Sequence, residues 1–266
     1  MLTLNDSEGG KHRDKGSAVD RALAVLQGVA LAQRPMSATE LNEALGLPKA
    51  TLHRICAQLE RDGYLQRDLL GKRLRPGPRL RGLALGVMAT AADQVERHAI
   101  LRAVSEAIGE TCNLTMPDGD RMVYVDRVET HWPLRLQFQI GTHVPLHCTS
   151  SGKLFLSSLP AQRRKRLVGC LNLEKRTNNT LSDPESLLSA LAKIRDEEVG
   201  TDDQEFVDGM VAVAVPIKAP DGQLIGTLAT HAPIQRMTLR QARGHLPALR
   251  HAADRLSALI ADTTEG

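Results

Sequence analysis

The sequence predicts an α/β chain of two domains: a mainly helical N-terminal winged helix-turn-helix and a C-terminal α+β domain built on one antiparallel sheet. Three observations lead to this prediction. The chain has 266 residues, a comfortable length for two domains. Residues 49–81 carry nine Lys and Arg against three Asp and Glu, whereas residues 82–266 carry twenty against twenty-two. The apolar pattern changes from helical spacing to a mixture of helix and strand patterns at Thr111. The charge imbalance is typical of a polyanion-binding module joined to a module of another kind.

The first residues predict a tail and two helices. Residues 1–16 are polar and charged with almost no apolar content, so we expect a flexible tail there. Apolar residues then recur on one helical face of the segment SAVDRALAVLQGVALAQ, and Pro35 ends this helix. Ser37 and Glu40 stand three residues apart as a capping box, and Gly46 suits the left-handed C-cap of the short helix that the box opens.

A third helix is predicted to open at Pro48 and to end at Gly63. Its apolar side chains fall in one sector about 100° wide (Leu52, Ile55, Cys56 and Leu59), and the opposite side carries Ala50, His53, Arg54 and Ala57. The segments YLQR and KRLRP flank DLLG and predict two short strands joined by a turn. Helix, capped helix, turn, helix and hairpin in this order indicate a winged helix-turn-helix.

The remainder of the chain mixes helices and strands. Residues 80–107 predict helices that connect the two domains and begin the second. The segments that predict strands are NLTM, RMVYVDRVE, LRLQFQI, MVAVAVPI and LIGTLATHA. The segments that predict helices are SSGKLFLSSL, DPESLLSALAKIRDE and a closing helix that starts at the capping box TLRQ and runs to about Ala261. This order suits an α+β domain with a single antiparallel sheet.

Cysteine usage and hydropathy indicate the cell compartment. The four cysteines lack CxxC and zinc-finger spacing, so we expect four reduced thiols. No apolar run approaches the roughly 18–20 residues of a membrane helix, and residues 1–17 do not resemble a signal peptide. We therefore predict a cytoplasmic protein without membrane contact, bound metal or cofactor.

Several segments resemble the IclR family of bacterial transcriptional regulators in sequence and in order: RALAVLQ, LPKATLHRICAQLERDGYLQRD, VYVDRVE, GTHVPLHCTSSGKLFLSSL and GTDDQEFVDGMVAVAVPIKAPDGQLIGTLA. The resemblance implies a winged helix-turn-helix at residues 17–79, a linker helix at 80–96 and a GAF-like effector-binding domain at 97–262. It also implies a homodimer or homotetramer that binds double-stranded operator DNA as a repressor or an activator.

On this resemblance the third helix is the recognition helix. The residues that it would present to the major groove are Lys49, Ala50, Thr51, His53 and Arg54. Arg54 can donate two hydrogen bonds to guanine, and Lys49 can meet a phosphate at the helix N-terminus. Lys72 and Arg73 of the hairpin would lie along the DNA backbone or in the minor groove, and Arg21 of the first helix would lie near phosphates. A plain solvated face is the other interpretation of such a helix, but the capped helix before it and the basic hairpin after it favour DNA.

The resemblance places the effector site at the segment PLHCTSSGK and on the strands that face it. The residues implied are Met116, Leu134, Phe138, Cys148, Thr149, Ser150, Ser151, Gly152, Asp203, Glu205, Ala212, Ala229 and His231. Amide and hydroxyl groups at a helix start form a natural carboxylate site. The alternative interpretations are structural: Ser150 and Ser151 cap a helix, Asp203 caps a turn, and His231 is a satisfied polar residue at a strand end.

Three positions depart from the pattern that is common in the family. Ala212 stands where many relatives carry Cys, and Ala229 and His231 stand where many carry serines. This puts glyoxylate and pyruvate in doubt as effectors. The more apolar lining predicts a larger or aromatic acid, with His231 as its polar handle.

Catalysis or metal sensing is the alternative function, and both would use the His147–Lys153 loop. Ser150–Lys153 matches the S-x-x-K pattern of acyl-enzymes, but the S-D-N and K-T-G segments of those enzymes are missing from the sequence. The fold could gather His131, His143, His147 and His231 into a metal site, although their spacing does not demand it. We predict that the protein is not an enzyme.

Overall fold

The structure is a computed structural model that describes residues 17–32, 34–68, 72–90, 93–133 and 137–262. The chain divides into two compact units, Met1–Gly86 and Val87–Gly266. The predicted tail at residues 1–16 lies outside the described residues.

The N-terminal unit is three helices and a two-stranded hairpin. Its elements are α1 (Ala18–Ala30), α2 (Ala38–Leu45), α3 (Lys49–Arg61), β1 (Leu65–Arg67) and β2 (Leu74–Pro76), followed by α4 (Pro78–Thr90), which runs across the division between the units. Its core is formed by Val25, Val29, Leu41, Leu52, Cys56, Leu59, Leu65 and Leu74. The strands β1 and β2 pair antiparallel, as the basic hairpin predicted.

Local capping signals fix the helix boundaries in this unit. The capping box of Ser37 and Glu40 is confirmed, with both reciprocal hydrogen bonds present. Gly46 is left-handed at φ 62° and its N–H donates to the carbonyl of Asn42 at 2.8 Å. Pro48 lies one position earlier than predicted, at the N-cap, so α3 begins at Lys49. A short turn of three residues thus separates α2 from α3, as a helix-turn-helix requires.

The C-terminal unit has a six-stranded sheet in the order β5-β4-β3-β8-β7-β6, and every neighbouring pair is antiparallel. Its elements are α5 (Asp93–Ile108), β3 (Thr111–Asp118), β4 (Arg121–Val128), β5 (His143–Pro145), α6 (Ser150–Ser158), α7 (Ala161–Cys170), α8 (Pro184–Glu197), β6 (Gly200–Asp203), β7 (Met210–Lys218), β8 (Leu224–Pro233), α9 (Leu239–Gly244) and α10 (Leu246–Asp262). The predicted single antiparallel sheet is confirmed.

Helices cover this sheet on both faces. Side chains of α6 and α8, including Leu154, Leu156 and Leu191, share one core with sheet residues such as Ala214 and Ala229. Helices α5 and α10 pack against each other, α5 also against β3 and β4, and α10 against β7. Because side chains alternate along a strand, the residues of β3 and β8 that face α6 are every second one.

The predicted strand LRLQFQI is wrong in its described part. Residues 137–139 have no regular structure, and the chain turns at Gly141, where φ is 89°. The ladder beside β4 is instead made by the short β5, three residues long. Alternation predicted a strand here because Phe138 is an inward-facing apolar residue, but its ring stacks on Tyr124 from a loop, with 5.6 Å between centroids. Helix α7 and strand β6 had no sequence prediction.

Hydropathy along the helices bears on the membrane question. Within the described ranges, none of the helices has both the length and the apolar character that a membrane span needs.

Candidate nucleic-acid interface and ligand cavity

Helix α3 buries one face and exposes the other. Leu52, Cys56 and Leu59 are buried in the core of the N-terminal unit. Lys49, Ala50, His53 and Arg54 are exposed, and Thr51 is half-buried. The five residues predicted to face DNA therefore lie on or beside the free side of the helix.

The charges on this free side are not used inside the protein. Within the described part of the chain, the side chains of Lys49, His53 and Arg54 make no hydrogen bond or ion pair. Pro48 offers no side-chain cap, and the amides of Lys49 and Ala50 have no acceptor among the same residues. An uncapped helix start beside a lysine attracts phosphate.

The hairpin and the first helix behave differently from α3. Lys72 is exposed, but Arg73 donates to the carbonyl oxygen of Pro35 at 3.1 Å and pairs with Glu40 at 3.1 Å. Arg34 also pairs with Glu40, and its guanidinium does most to lower the pKa of that carboxyl to about 2. Arg21 is half-buried. Arg73 thus ties the hairpin to α2, whereas Lys72 and the α3 residues remain unengaged.

A cavity lies in the C-terminal unit between the start of α6 and strands β3, β7 and β8. Seven of the predicted effector residues line it: Phe138, Thr149, Ser150, Ser151, Ala212, Ala229 and His231. The cavity has a volume of about 40 Å³, far below the roughly 300–1,000 Å³ of pockets that hold drug-sized ligands. In this conformation the cavity suits a compact ligand.

The start of α6 supplies hydrogen-bond donors to the cavity. Thr149 caps the helix by accepting from the Gly152 amide at 3.1 Å, and its hydroxyl donates to the carbonyl oxygen of Pro145 at 2.7 Å. Ser150 and Ser151 are 3% and 4% exposed, and among the described residues neither their amides nor their hydroxyls have a partner. Ser150 and Ser151 therefore do not cap the helix, and four donors remain for a ligand.

Two glycines hold this helix start against its neighbours. A Cβ on Gly152 would lie 2.4 Å from the Cα of Leu146, and a Cβ on Gly200 would lie 2.0 Å from the carbonyl oxygen of Ser150. Both contacts are with backbone atoms, which cannot turn aside as a side chain can. The close approach of β6 and residue 146 therefore requires glycine at both positions.

The opposite wall is formed by the sheet and carries two unsatisfied polar atoms. Asn113 on β3 and His231 on β8 are 3% and 8% exposed. Asn113 Oδ1 and His231 Nε2 are buried and have no hydrogen-bond partner in the described structure. The pKa of His231 is lowered to about 3, mainly by burial and to a smaller extent by the positive charges of Arg127 and Arg236. Its imidazole is therefore neutral.

Asp202 is the acidic group of the cavity. Its Oδ1 accepts from the amides of Glu205 at 2.8 Å and Phe206 at 3.3 Å. Burial raises the pKa of Asp202 to about 7, so a large share of this carboxyl is protonated at neutral pH. The sequence prediction chose Asp203 and Glu205 instead. Strand alternation in the segment GTDD is the signal that separates Asp202, which points inward, from the exposed Asp203.

Five predicted effector residues lie outside the cavity lining, and Leu134 lies outside the described residues. Glu205 forms a buried ion pair with Lys153 of α6. Met116 follows Thr115 on β3 and has the opposite orientation by alternation. Cys148, Gly152 and Asp203 surround the helix start without lining the cavity.

An aromatic cluster closes the third side of the cavity. Phe138 lies between Tyr124 and Phe206, with ring centroids at 5.6 Å and 6.1 Å. The guanidinium of the buried Arg127 lies 5.6 Å from the Tyr124 ring and 5.7 Å from the Phe138 ring. Of this wall, only Phe138 was predicted from the sequence. Tyr124, Arg127 and Phe206 were not predicted, and neither were Asn113 and Thr115 of the sheet.

The loop proposed for catalysis or metal binding lacks the required chemistry. Burial above all raises the pKa of the Cys148 thiol to about 12, so it is not a thiolate at neutral pH. Burial lowers the pKa of His147, and its Nε2 is paired with the carbonyl oxygen of Glu174 at 3.0 Å. Across the part of the chain that the structure describes, no three His, Cys, Asp or Glu side chains gather as metal ligands would.

Comparison with known protein families matches both units. The model of the IclR helix-turn-helix domain matches residues 18–69, and that of the bacterial transcriptional regulator IclR C-terminal domain matches residues 93–258.

The relatives found by sequence are transcriptional regulators, not enzymes. The probable transcriptional regulator SauR of Cupriavidus necator is 42% identical over 240 residues, which are 90% of this chain and 95% of that protein. The HTH-type transcriptional regulator BhcR of Paracoccus denitrificans is 29% identical over 90% of this chain and 86% of its own.

Solved structures share the fold at lower identity. A transcriptional regulator from Rhodococcus sp. RHA1 has a TM-score of 0.64 at 23% identity, over 92% of this chain and 98% of that one. An IclR homolog from Microbacterium hydrocarbonoxydans, solved with 4-hydroxybenzoate, has a TM-score of 0.57 at 23% identity, over 91% of this chain and 98% of that one.

Proposed function

The chain belongs to the IclR family of bacterial transcriptional regulators and is a DNA-binding regulator, and from this premise we propose that a compact organic acid, bound in the C-terminal cavity, controls its binding to operator DNA. The observation that carries the proposal is the start of α6, where the amides and hydroxyls of Ser150 and Ser151 face a buried cavity and have no partner among the described residues.

Three features of the cavity favour an anionic ligand. The N-terminus of α6 has the positive end of the helix dipole, and four unpaired donors surround it. On the sheet side, the guanidinium groups of Arg127 and Arg236 act on His231 as positive charges, and each also pairs with a carboxylate, Glu129 and Glu110 respectively. Asp202 opposes an anion only when ionised, and in its protonated form it becomes a donor.

The size of the cavity sets the size of the effector. A volume of about 40 Å³ suits an acid of a few heavy atoms rather than a drug-sized ligand. The aromatic acid that the sequence predicts would need a wider cavity. The IclR homolog solved with 4-hydroxybenzoate supports an organic acid as ligand of this fold and keeps an aromatic acid as the alternative.

The DNA side of the proposal rests on α3. We propose that Arg54 and His53 meet base edges in the major groove, while Lys49, Thr51 and the adjacent amides bind phosphate. Ala50 would contact the groove surface, and Lys72 of the hairpin and Arg21 of α1 would contact the DNA backbone. Arg73 is proposed to act indirectly, by holding the hairpin against α2.

Two or four copies would act together on the operator. Two recognition helices spaced by one turn of DNA explain how a small helix selects a roughly palindromic site. We propose a homodimer or a homotetramer, in which the effector shifts the balance between arrangements that fit the operator well and badly.

The effector proposal is tested by thermal unfolding of the purified protein with a panel of aliphatic and aromatic carboxylates. A ligand at 100 times its dissociation constant adds roughly 2.7 kcal/mol to the free energy of unfolding. We expect the gain with compact acids and its loss in the double variant Ser150→Ala, Ser151→Ala.

Ser158→Ala is the matched control, because Ser158 lies on the same helix, is exposed, and bonds only to the carbonyl oxygen of Phe155. An equal response of the double variant and the control to the same acid would refute the α6 site.

A further inference from the structure

The sheet wall of the cavity contains two polar atoms whose lack of a partner the proposed acid site does not explain. Asn113 Oδ1 and His231 Nε2 belong to side chains that are more than nine-tenths buried, and both residues line the cavity. A buried polar atom without a hydrogen bond destabilises a protein, because it has lost its contact with water and gained no partner. Such atoms are rare in native proteins, and at a ligand cavity they indicate a group that the ligand supplies.

The register of the sheet brings these two residues to one place. Asn113 faces Ala229 across the β3–β8 ladder, and His231 is two residues beyond Ala229 on the same strand. Side chains two apart on a strand point to the same face, so Asn113 and His231 are diagonal neighbours, roughly 7–8 Å apart at their backbones. Both side chains are long enough for one small ligand group to contact both.

The neighbours of this pair leave room and offer no competing partner. Ala229 lies beside Asn113 on β8, and Ala212 faces His231 from β7. Both alanines line the cavity with methyl groups, which neither donate nor accept hydrogen bonds. The polar atoms of Asn113 and His231 are therefore directed to whatever occupies the cavity.

The chemistry of the pair identifies the ligand group. Asn113 Oδ1 is an acceptor, and the neutral His231 ring either donates or accepts at Nε2, according to its tautomer. A carboxylate could accept from His231 in the tautomer that carries the hydrogen on Nε2, but it has no hydrogen to donate to the amide oxygen of Asn113. A hydroxyl group can donate its one hydrogen to that amide oxygen and accept from Nε2–H, so it satisfies both atoms together.

We propose that Asn113 and His231 are specificity-determining residues, which select effectors with a hydroxyl group at the end opposite their acid group. The effector class is then an ω-hydroxy acid: the acid binds at the start of α6 and the hydroxyl at the sheet wall. This inference rests on the proposed function, because it takes the acid end from the α6 site.

The test is calorimetric titration of the full-length protein with matched pairs of acids that differ only in the terminal hydroxyl. Suitable pairs are 3-hydroxypropionate with propionate, 4-hydroxybutyrate with butyrate, and 4-hydroxybenzoate with benzoate. We expect the hydroxy acid of at least one pair to bind at least ~10-fold more tightly, because a site built for a hydroxyl leaves its own groups unpaired with the deoxy analogue.

Variants of the sheet wall then assign the preference to its residues. In Asn113→Ala and His231→Ala we expect the preference to fall below about threefold, while the affinity for the deoxy acid stays within about threefold of wild type. Asn178→Ala and His251→Ala are the matched controls, since both side chains are exposed, lie outside the cavity lining and make no hydrogen bond with the described residues. Thermal unfolding of each variant without ligand checks that it folds.

The possible outcomes separate this inference from the proposed function. If no acid of either kind binds the wild-type protein, both fail. If deoxy and hydroxy acids bind with equal affinity, the acid site stands, the pair merely holds water, and the inference is overturned. A preference that survives in both variants would overturn it as well, and the wild-type comparison is decisive even where a variant does not fold.

Discussion

Two arginines of the N-terminal unit show how residues of one type come to serve different purposes. Arg54 is exposed on α3 and makes no contact within the described residues, whereas Arg73 is held by Pro35 and Glu40. The sequence predicts DNA contact for both, because charges can be counted along the chain, whereas the pairing of Arg73 with Glu40 of α2 depends on the fold.

Replacing Arg54 with alanine is expected to weaken operator binding and to leave folding intact. If Arg54 reads a base, the loss should be ~1–3 kcal/mol on the operator and smaller on random DNA. Fluorescence anisotropy with labelled operator and scrambled duplexes measures both. Arg163→Ala, an exposed arginine on α7, is the control and should change neither. Equal losses on both duplexes would assign Arg54 to phosphate rather than to a base.

Asp202 predicts a pH dependence of stability. Its pKa is about 7 in the folded protein and ~3.9 in an unfolded chain, so the folded state retains a proton that the unfolded state releases. The protonated carboxyl makes its full contribution to the free energy of unfolding below about pH 3.9. This contribution is lost as the pH rises through about 7.

The substitution Asp202→Asn is expected to remove this loss. The asparagine oxygen can accept the same two amide hydrogen bonds and has no proton to release. The gain in Tm over wild type should therefore be larger at pH 8 than at pH 5. His231, whose pKa is lowered to about 3, makes stability rise with pH, which is opposite to the effect of Asp202. This effect is the same in both proteins, so it cancels in the comparison. A gain that is the same at the two pH values would show that Asp202 does not titrate in this range.

At the scale of elements, the parts that were predicted correctly are those with local causes. The capping box of Ser37 and Glu40 and the left-handed Gly46 depend on residues within ten positions of one another. The same holds for the continuous apolar run of β7, which is buried inside the sheet between β8 and the edge strand β6. Each of these elements follows from a hydrogen bond or an apolar periodicity between residues that are close in sequence.

The parts that could not be predicted depend on distant residues. Asn113 and His231 are 118 positions apart and become neighbours only through the register of β3 with β8. The segment LRLQFQI alternates as a strand does, but the turn at Gly141 and the stacking of Phe138 place its described part in a loop. Alternation shows which residues point inward, and it does not reveal whether a neighbouring strand is present to pair with.

The packing of α6 against β6 predicts the effect of glycine substitutions. In Gly200→Ala, the new methyl would overlap the carbonyl of Ser150, so the helix start and β6 must separate. We expect a loss of about 1–3 kcal/mol in stability, together with weaker effector binding. The measurement is thermal unfolding with and without the acid.

Gly169→Ala on α7 is the matched control for this substitution. A Cβ at Gly169 meets nothing within 4 Å, and alanine favours a helix by roughly 0.5–1 kcal/mol, so this variant should be slightly more stable with unchanged effector binding. If Gly200→Ala behaved like the control, the α6 start would not be held by the close approach inferred above.

At the scale of the whole molecule, the two units have separate cores and separate chemistry. One core joins residues between Val25 and Leu74, and another joins residues between Met122 and Ala229. The basic surface belongs to the first unit and the cavity to the second. Regulation therefore requires a coupling free energy between two sites that share no residue.

This coupling must appear equally at both sites. If the effector changes operator affinity tenfold, saturating operator must change effector affinity by the same factor, which corresponds to about 1.4 kcal/mol. Anisotropy with and without the acid gives the first factor, and calorimetry of the free protein and of the operator complex gives the second. Arg54→Ala should lower operator affinity but keep the factor, because Arg54 lies in the unit without the cavity. If both factors equal one, the acid binds without changing operator affinity, and the control proposed for the C-terminal unit is refuted.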